Sequence, residues 1–211
     1  MSRIQAVISD FGGVLTSPLM NSFAAFQESS GVSLEALGKA LGTLATARGT
    51  NPLFELETGR MSEAEFLGGL SRQLTADLGR PVEMRGFTET YLAALDPNQP
   101  MIDYMRGLRE RRYKMAICTN NIREWERLWR AKFPVEEIFE VIVDSSRVGS
   151  RKPERRIYEI TLERLEVDAD AALFVDDVEL NCEAARELGM TAVWFRDNAQ
   201  AMAEIASVLD A

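Results

Sequence analysis

Short apolar runs alternate with amphipathic stretches along much of this chain. Five of the runs predict buried strands, and they span residues 4–8, 113–120, 139–146, 171–177 and 191–195. After residue 96, each run is separated from the next by a stretch with helical spacing and by short connections. Because strands and helices that alternate in this way form parallel sheets covered on both faces, the pattern predicts an α/β fold.

Residues 21–95 interrupt this alternation, because they show helical spacing and almost no β-branched runs. Ser62, followed three residues later by Glu65, has the pattern of a capping box at the start of a helix. We expect three to five helices in this region. The sequence therefore predicts an α/β core formed by residues 1–16 and 96–211, with an all-helical insertion at 17–95.

Polar residues follow the apolar runs at the points where the strands are predicted to end. Right-handed crossovers bring the carboxyl ends of parallel strands to one edge of the sheet, where ligands bind in open α/β folds. The residues expected at this edge are Asp10, Thr119, Asn120, Asp144, Ser145, Lys152, Asp176 and Asp177. Gly12 and Gly13 come shortly after Asp10 and allow the backbone to approach a ligand closely.

Composition excludes several kinds of chemistry. The 211 residues include no histidine, which rules out a Ser-His-Asp triad, an imidazole base and a histidine-ligated zinc site. A net charge of −9 argues against nucleic acid as a partner. No apolar run approaches the roughly 18 residues of a membrane span, so we expect a cytoplasmic protein with no membrane partner. Cys118 and Cys182 lack metal-site spacing and are expected to be buried thiols.

The residues at the predicted edge suit phosphoryl transfer. A carboxylate can act as a nucleophile and form an aspartyl-phosphate. A hydroxyl group and an ammonium group can hold the phosphoryl oxygens, and the backbone amides of a glycine-rich turn add donors. The adjacent carboxylates of Asp176 and Asp177 suit Mg²⁺, which takes one or two carboxylates together with waters and a substrate phosphate.

Four segments together resemble the haloacid dehalogenase-like hydrolase superfamily. They are "DFGGVL" at Asp10, "ICTN" at Thr119, "VGSRKPE" at Lys152 and "FVDDVELNCEAARELGM" at Asp176. Their order and spacing agree with the family over essentially the whole chain, and the helical insertion resembles a small helical cap. The chain is most similar to the subgroup with sugar-phosphate phosphatases and the amino-terminal phosphatase domains of epoxide hydrolases. The resemblance implies a Rossmann-like parallel sheet with helices on both faces, plus an inserted all-helical cap.

The resemblance also implies a role for each motif residue. Asp10 would attack phosphorus, Thr119 would hydrogen-bond the phosphoryl group, and Lys152 would neutralise that group and orient Asp10. The implied ligands of Mg²⁺ are Asp10, the backbone carbonyl of Gly12 and Asp176, with Asp177 either as a further ligand or just outside the ligand set. The implied substrate contacts are Gly12, Gly13 and Asn120.

One position departs from the family pattern. Gly12 stands where most phosphatases of this family carry a second aspartate that acts as general acid and base. Losing a positioned acid lowers the rate with a poor leaving group by about 10²–10⁴-fold. Three explanations stay open: a substrate with a good leaving group, such as an anomeric sugar phosphate or an acyl phosphate; another proton donor; or weak or absent activity.

The expected function is a Mg²⁺-dependent phosphatase acting on a small phosphorylated metabolite, with a sugar phosphate as one candidate, and the protein is expected to be a monomer or homodimer. One alternative is a 2-haloacid dehalogenase-type hydrolase; because such enzymes of this superfamily need no metal, the acidic pair argues against it. Carbon–phosphorus cleavage would need a Schiff-base lysine, and Lys39 is the only lysine in the insertion, without a supporting context. The third alternative is a catalytically weak binding or regulatory protein.

Overall fold

The sheet is assembled from five separated parts of the chain. A computed structural model, which describes residues 3–210, places its strands at β1 (Ala6–Ser9), β2 (Lys114–Thr119), β3 (Val141–Asp144), β4 (Ala172–Asp176) and β5 (Thr191–Trp194). Neighbouring strands are parallel, in the order β3-β2-β1-β4-β5. The carboxyl ends of the strands therefore lie along one edge, with β1 at the centre. The predicted α/β fold is confirmed.

The strands are buried because both faces of the sheet are covered. In β1, Ala6 and Ile8 point into one core cluster, while Val7 between them points into the other. Each of these three side chains has no more than 1% of its surface exposed. The alternation follows from the period of two along a strand, and a near-continuous apolar run is what a strand covered on both faces requires.

Five helices lie between β1 and the next core helix. They are α1 (Leu19–Ser30), α2 (Leu34–Arg48), α3 (Pro52–Glu57), α4 (Glu63–Leu78) and α5 (Phe87–Ala93). The capping box predicted at Ser62 is present, since its hydroxyl accepts from the N–H of Glu65 and the Glu65 carboxylate accepts from the N–H of Ser62. These helices bury their apolar faces against one another and against one face of the sheet.

The remaining helices cover the sheet. They are α6 (Gln99–Glu110), α7 (Glu126–Arg130), α8 (Val135–Ile138), α9 (Ser145–Val148), α10 (Arg155–Leu165), α11 (Glu179–Glu187) and α12 (Asn198–Leu209). Helices α10 and α11 pack on one face, while α6 and α12 pack on the other. Among residues 3–210, no helix has both the length and the apolar character needed to cross a membrane. Cys118 and Cys182 are free and buried, as expected.

Several predicted elements end earlier than expected, most of them by a residue or two. The helical stretch 122–133 is a short 3₁₀ turn at Arg123–Trp125 followed by α7, which ends at Arg130. The strand expected over 139–146 ends at Asp144, because the Asp144 carboxylate accepts from the N–H of Ser146 and caps the short helix α9. Helix α12 ends at Leu209, and the predicted end at residue 211 lies outside the described residues.

The chain leaves and re-enters the core through two adjacent segments. Thr16 forms an antiparallel bridge with Pro97, and the N–H of Ser17 donates to the carbonyl of Asp96 at 2.7 Å. The side-chain amide of Asn98 donates to the carbonyl of Val14 at 2.8 Å. All five strands lie outside 17–95 and helices α1–α5 lie within it. The division into a core and an inserted helical domain stays a prediction.

Candidate active site

The carboxyl edge of the sheet gathers charged side chains from three separate segments. Asp10 directly follows β1, Asp176 ends β4, and Lys152 lies in the loop that precedes α10. The Lys152 ammonium is 2.7 Å from Oδ1 of Asp10 and 2.6 Å from Oδ2 of Asp176. Both Lys152 and Asp176 are almost fully buried. The sequence prediction that these residues lie together agrees with the structure.

Asp177 completes an acidic group at this edge. Asp10, Asp176 and Asp177 each offer a carboxylate oxygen, and these oxygens lie within 4.8 Å of one another. Gly13 has a positive φ of 80°, and a Cβ atom added to it would lie 2.2 Å from Oδ2 of Asp177. Glycine is therefore required at position 13 both for the backbone conformation and for the close approach of this carboxylate.

Hydrogen bonds fix the orientation of the two buried carboxylates. Oδ1 of Asp10 also accepts from the N–H of Phe11 at 2.7 Å. Oδ1 of Asp176 accepts from the N–H of Val178 at 2.8 Å and from the side-chain amide of Asn181 at 2.9 Å. Asn181 was not singled out from the sequence; its only signal is a polar side chain in the first turn of a helix that follows the acidic pair.

The one ammonium group of Lys152 does not balance the negative charge of the three carboxylates. Burial raises the pKa of Asp10 to about 7, against the opposing effect of Lys152, and the carboxylates of Asp176 and Asp177 raise it further. Burial together with Asp176 raises the pKa of Asp177 to about 6. Burial alone would lower the pKa of Lys152, but Asp10 and Asp176 outweigh it and raise that pKa above its usual range. The cluster holds three carboxylates and one ammonium.

A hard divalent cation fits this arrangement. Oxygen ligands from carboxylates are those that Mg²⁺ takes in proteins, and a dication would offset the excess negative charge that raises the pKa values of Asp10 and Asp177. Asp10, Asp176 and Asp177 can therefore hold Mg²⁺.

Thr119 and Asn120 extend β2 toward the same edge and line a cavity with Asp10 and Lys152. Oγ1 of Thr119 lies 3.5 Å from the carbonyl oxygen of Asn120, too far for a strong hydrogen bond, so its hydroxyl is available to a ligand. The Asn120 amide is already engaged: its oxygen accepts from the N–H of Lys152 at 2.8 Å and its nitrogen donates to the Lys152 carbonyl at 3.0 Å. Asn120 thus positions Lys152. We call Asp10, Thr119, Lys152, Asp176 and Asp177 the charged floor.

Gly12, Gly13, Asp144 and Ser145, which the sequence also placed at this edge, each make different contacts. The N–H of Gly13 donates to Oγ1 of Thr16 at 3.2 Å. Gly12 has an ordinary backbone conformation, and a Cβ added to it would lie 3.0 Å from the Leu19 side chain. Asp144 caps α9, while the Ser145 hydroxyl donates to the carbonyl of Glu57 at 2.5 Å and so ties the core to α3.

An ion pair between the loop that precedes α10 and helix α3 was also missed from the sequence. Nε of Arg151 lies 2.5 Å from Oε2 of Glu57, and the Arg151 guanidinium stacks over the Phe54 ring at 3.9 Å from its centre. Burial raises the pKa of Glu57, and Arg151 opposes that shift. Because Glu57 and Arg151 lie far apart in the sequence, no local pattern could have paired them.

Comparison with known protein families finds a match over more than half of the chain. The sequence pattern described as haloacid dehalogenase-like hydrolase matches residues 71–195. Bifunctional epoxide hydrolase 2 of Rattus norvegicus is 30% identical over 124 residues, which are 56% of this chain and 22% of that protein. The chain spans between 21% and 38% of the length of the three mammalian epoxide hydrolases that it matches.

Two further relatives are named as phosphatases. A glyceraldehyde 3-phosphate phosphatase of Pyrococcus abyssi is 34% identical over 92 residues, which are 42% of this chain and 38% of that protein. A sesquiterpene phosphatase of Aspergillus oryzae is 25% identical over 205 residues, which are 93% of this chain and 92% of that protein.

Solved structures share the fold. A haloacid dehalogenase-family enzyme from Bacteroides thetaiotaomicron, crystallised with magnesium and inorganic phosphate, has a TM-score of 0.66 at 24% identity, covering 90% of this chain and 93% of that one. An L-2-haloacid dehalogenase from Xanthobacter autotrophicus has a TM-score of 0.64 at 18% identity, covering 90% of this chain and 76% of that one.

Proposed function

This chain belongs to the haloacid dehalogenase-like hydrolases, and we propose that it is a Mg²⁺-dependent phosphatase that cleaves a small organic phosphate ester through an aspartyl-phosphate. The observation that carries the proposal is the buried Lys152 ammonium between Asp10 and Asp176, with the Asp177 carboxylate beside them. Two relatives named as phosphatases support the reaction class. Their names give different substrates, so they select none for this chain.

Asp10 acts as the nucleophile. Lys152 and the N–H of Phe11 engage its Oδ1, so we assign the attack to Oδ2. A bond forms between this oxygen and phosphorus while the bond between phosphorus and the ester oxygen breaks, and the departing oxygen takes a proton from water. A second water then attacks phosphorus and gives up a proton to the hydroxide that the first water left, while the bond between phosphorus and Oδ2 breaks; inorganic phosphate leaves and the Asp10 carboxylate is restored.

The other floor residues hold the phosphoryl group and the metal. The Lys152 ammonium and the Thr119 hydroxyl donate to phosphoryl oxygens, together with the N–H of Gly12, since the N–H of Gly13 is engaged by Thr16. Mg²⁺ would be held by Asp10, Asp176, Asp177 and the carbonyl of Gly12; when bound, it supplies positive charge that offsets repulsion between the substrate phosphate and the carboxylates. Asn181 and the N–H of Val178 keep Asp176 oriented for this task.

Asp10→Asn tests the nucleophile. We expect it to abolish the Mg²⁺-dependent release of phosphate from phenyl phosphate, because a carboxamide is not a nucleophile at phosphorus. Asp168→Asn is the matched control: Asp168 is exposed and precedes β4, at the opposite edge of the sheet, so its activity should equal that of the unmodified protein. Unchanged turnover in Asp10→Asn would overturn the assignment.

Cleavage of a carbon–halogen bond by the same carboxylate is the alternative that the shared fold leaves open. The cluster of three carboxylates argues against it, because a metal-independent reaction has no use for Asp176 and Asp177 beside the nucleophile. A chelator separates the two functions. We expect EDTA to stop phosphate release and excess Mg²⁺ to restore it; halide release from a 2-haloacid that persists in EDTA would favour the alternative.

A further inference from the structure

A cavity of about 680 Å³ opens directly above the charged floor. Asp10, Thr119 and Lys152 line one end of it, and helices α1–α5 of the insertion form about half of the remaining wall. The other half comes mainly from segments outside 17–95, whose polar side chains on the cavity are Asn120, Asn121, Arg151, Asp177 and Asn181. This volume falls within the range of pockets that enclose most of an organic ligand. A phosphate group at the floor would therefore place the rest of its ester inside the cavity.

The wall contributed by the insertion is apolar. Within the described residues, every side chain that segment 17–95 places on the cavity is leucine or phenylalanine, apart from Glu57 and Tyr91. Leu41 of α2, Leu53 of α3 and Phe66 of α4 are examples from three different helices. Water in such a space gains few hydrogen bonds, so apolar atoms that replace it are favoured.

The wall contributed by the insertion has two polar side chains, Glu57 and Tyr91, within the described residues. The Glu57 carboxylate is paired with Arg151, whose guanidinium also covers the Phe54 ring. Tyr91 contributes one hydroxyl. Sugar hydroxyl groups that enter the part of the cavity formed by α1–α5 would therefore be buried against leucine and phenylalanine, and burying hydroxyls without hydrogen-bond partners is unfavourable.

We propose, on the basis of the phosphatase function above, that the substrate is the phosphate monoester of a predominantly apolar alcohol or phenol whose organic group fills this cavity. Charge complementarity fixes the orientation: the phosphate dianion meets Lys152 and the metal site at the floor, and the apolar group lies among the side chains of α1–α5. A sugar phosphate, one candidate from the sequence, does not match this wall.

A series of phenyl phosphates with methyl, propyl and pentyl groups at the para position tests the proposal. The para chain changes the buried area while leaving the acidity of the departing phenol nearly constant, so binding in the cavity is separated from the chemical step. We expect kcat/KM to rise about three- to fourfold for each added methylene, as full burial of a methylene predicts. Hexyl phosphate should likewise be a better substrate than glucose 6-phosphate.

Two variants on helix α2 locate the effect. Leu41→Gln places an amide on the cavity wall and should compress the ratio between the pentyl and methyl compounds about tenfold. Leu44→Gln is the matched control, because Leu44 lies three residues further along α2, is also half-buried and is outside the cavity lining of the described chain. If Leu41→Gln lowers the melting temperature of the protein strongly, Leu53→Gln on α3 repeats the test.

The outcomes separate the two proposals. No phosphate release from any ester, with or without Mg²⁺, would contradict the phosphatase function itself. Release from phenyl phosphate with a kcat/KM that stays flat along the series, or with glucose 6-phosphate preferred over hexyl phosphate, would leave the phosphatase function standing and overturn the apolar substrate.

Discussion

Different interactions position the side chains of the charged floor and the side chains that line the cavity above it. Within the floor, Asp10, Lys152 and Asp176 have defined directional partners: Oδ1 of Asp176 accepts at 2.8 and 2.9 Å, and its Oδ2 lies 2.6 Å from Lys152. The wall of the cavity is leucine and phenylalanine from several helices, held by close packing, where one side chain can adapt to another. A change in the floor should therefore alter the rate with every substrate, whereas a change in the wall should alter the choice among substrates.

Lys152→Met should have the largest effect. It leaves the carboxylates of Asp10 and Asp176 without their buried partner, which destabilises the fold by about 3–5 kcal/mol. It also removes a donor to the phosphoryl group, so phosphate release should fall at least about 10²–10³-fold for every ester. Lys39→Met, at an exposed lysine of α2, is the control. A loss confined to some esters would show that the floor, too, selects substrates.

Gly12→Asp should increase activity with poor leaving groups. Position 12 has an ordinary backbone conformation, and the atoms nearest to an added Cβ belong to the flexible Leu19 side chain, which can move to accommodate a side chain. A carboxylic acid there would donate a proton to the departing oxygen, and we expect turnover of hexyl phosphate to rise about 10²-fold. Activated phenyl esters should gain far less.

Gly12→Asn is the matched control for that experiment, because it has the same shape but no acidic proton. An equal gain in both variants would mean that the side chain acts by packing. No gain in either would indicate that another proton donor already serves this site.

Asn181→Ala should weaken metal activation. The Asn181 amide orients the Asp176 carboxylate, and removing such a partner of a metal ligand typically lowers metal affinity or activity by about 10–100-fold. A Mg²⁺ titration of phosphate release measures the shift, with exposed Glu183→Ala on the same helix as control. Full activity restored at high Mg²⁺ would fit a loss of metal affinity; an unchanged titration would contradict this role.

The smallest effect that we expect is a change in the stability of the metal-free protein with pH. The folded state raises the pKa of Asp10 to about 7 from 3.8, so the folded protein holds a proton that the unfolded chain releases. Its contribution to stability is therefore present at low pH and is lost as pH rises through about 7. Relative to Asp10→Asn, which does not titrate at this position, the melting temperature without metal should fall as pH rises from about 4 to about 7 and then level off.

Adding Mg²⁺ should reverse this loss. At a hundredfold excess over Kd, binding adds about 2.7 kcal/mol, or about 5–10 °C in a chain of this size. The gain should be larger at high pH than at low pH, because protons compete with the metal for the Asp10 carboxylate. A gain that does not depend on pH would argue that Asp10 is not a metal ligand.

The sequence predicted the sheet because fully buried strands are continuous apolar runs between helical stretches. It predicted Asp10, Lys152 and Asp176 because parallel strands bring their carboxyl ends to one edge. The strand pattern placed Asp144 and Asp176 at the same edge, since both follow apolar strands, and only the adjacent Asp177 and the family resemblance marked Asp176 as a metal ligand. In the structure Asp144 caps α9 and Asp176 pairs with Lys152. That difference depends on where the Lys152 loop lies in space.

The cavity could not be predicted either. The leucines and phenylalanines of α1–α5 have the spacing of ordinary core residues, and a periodic pattern does not reveal whether the space between helices is filled. Two other features could not be predicted for a similar reason. They are the ion pair between Glu57 and Arg151 and the double hydrogen bond between Asn120 and Lys152. Each joins segments whose proximity follows only from the tertiary fold.

Trapping the covalent intermediate tests the central claim most directly. The protein is mixed with Mg²⁺ and a phenyl phosphate, quenched in acid within the first turnover, digested and examined by mass spectrometry. We predict one added phosphoryl group on the peptide that contains Asp10, absent from Asp10→Asn and from samples without substrate. Phosphate release that proceeds with no phosphoryl group on Asp10 at any time of quenching would contradict the account.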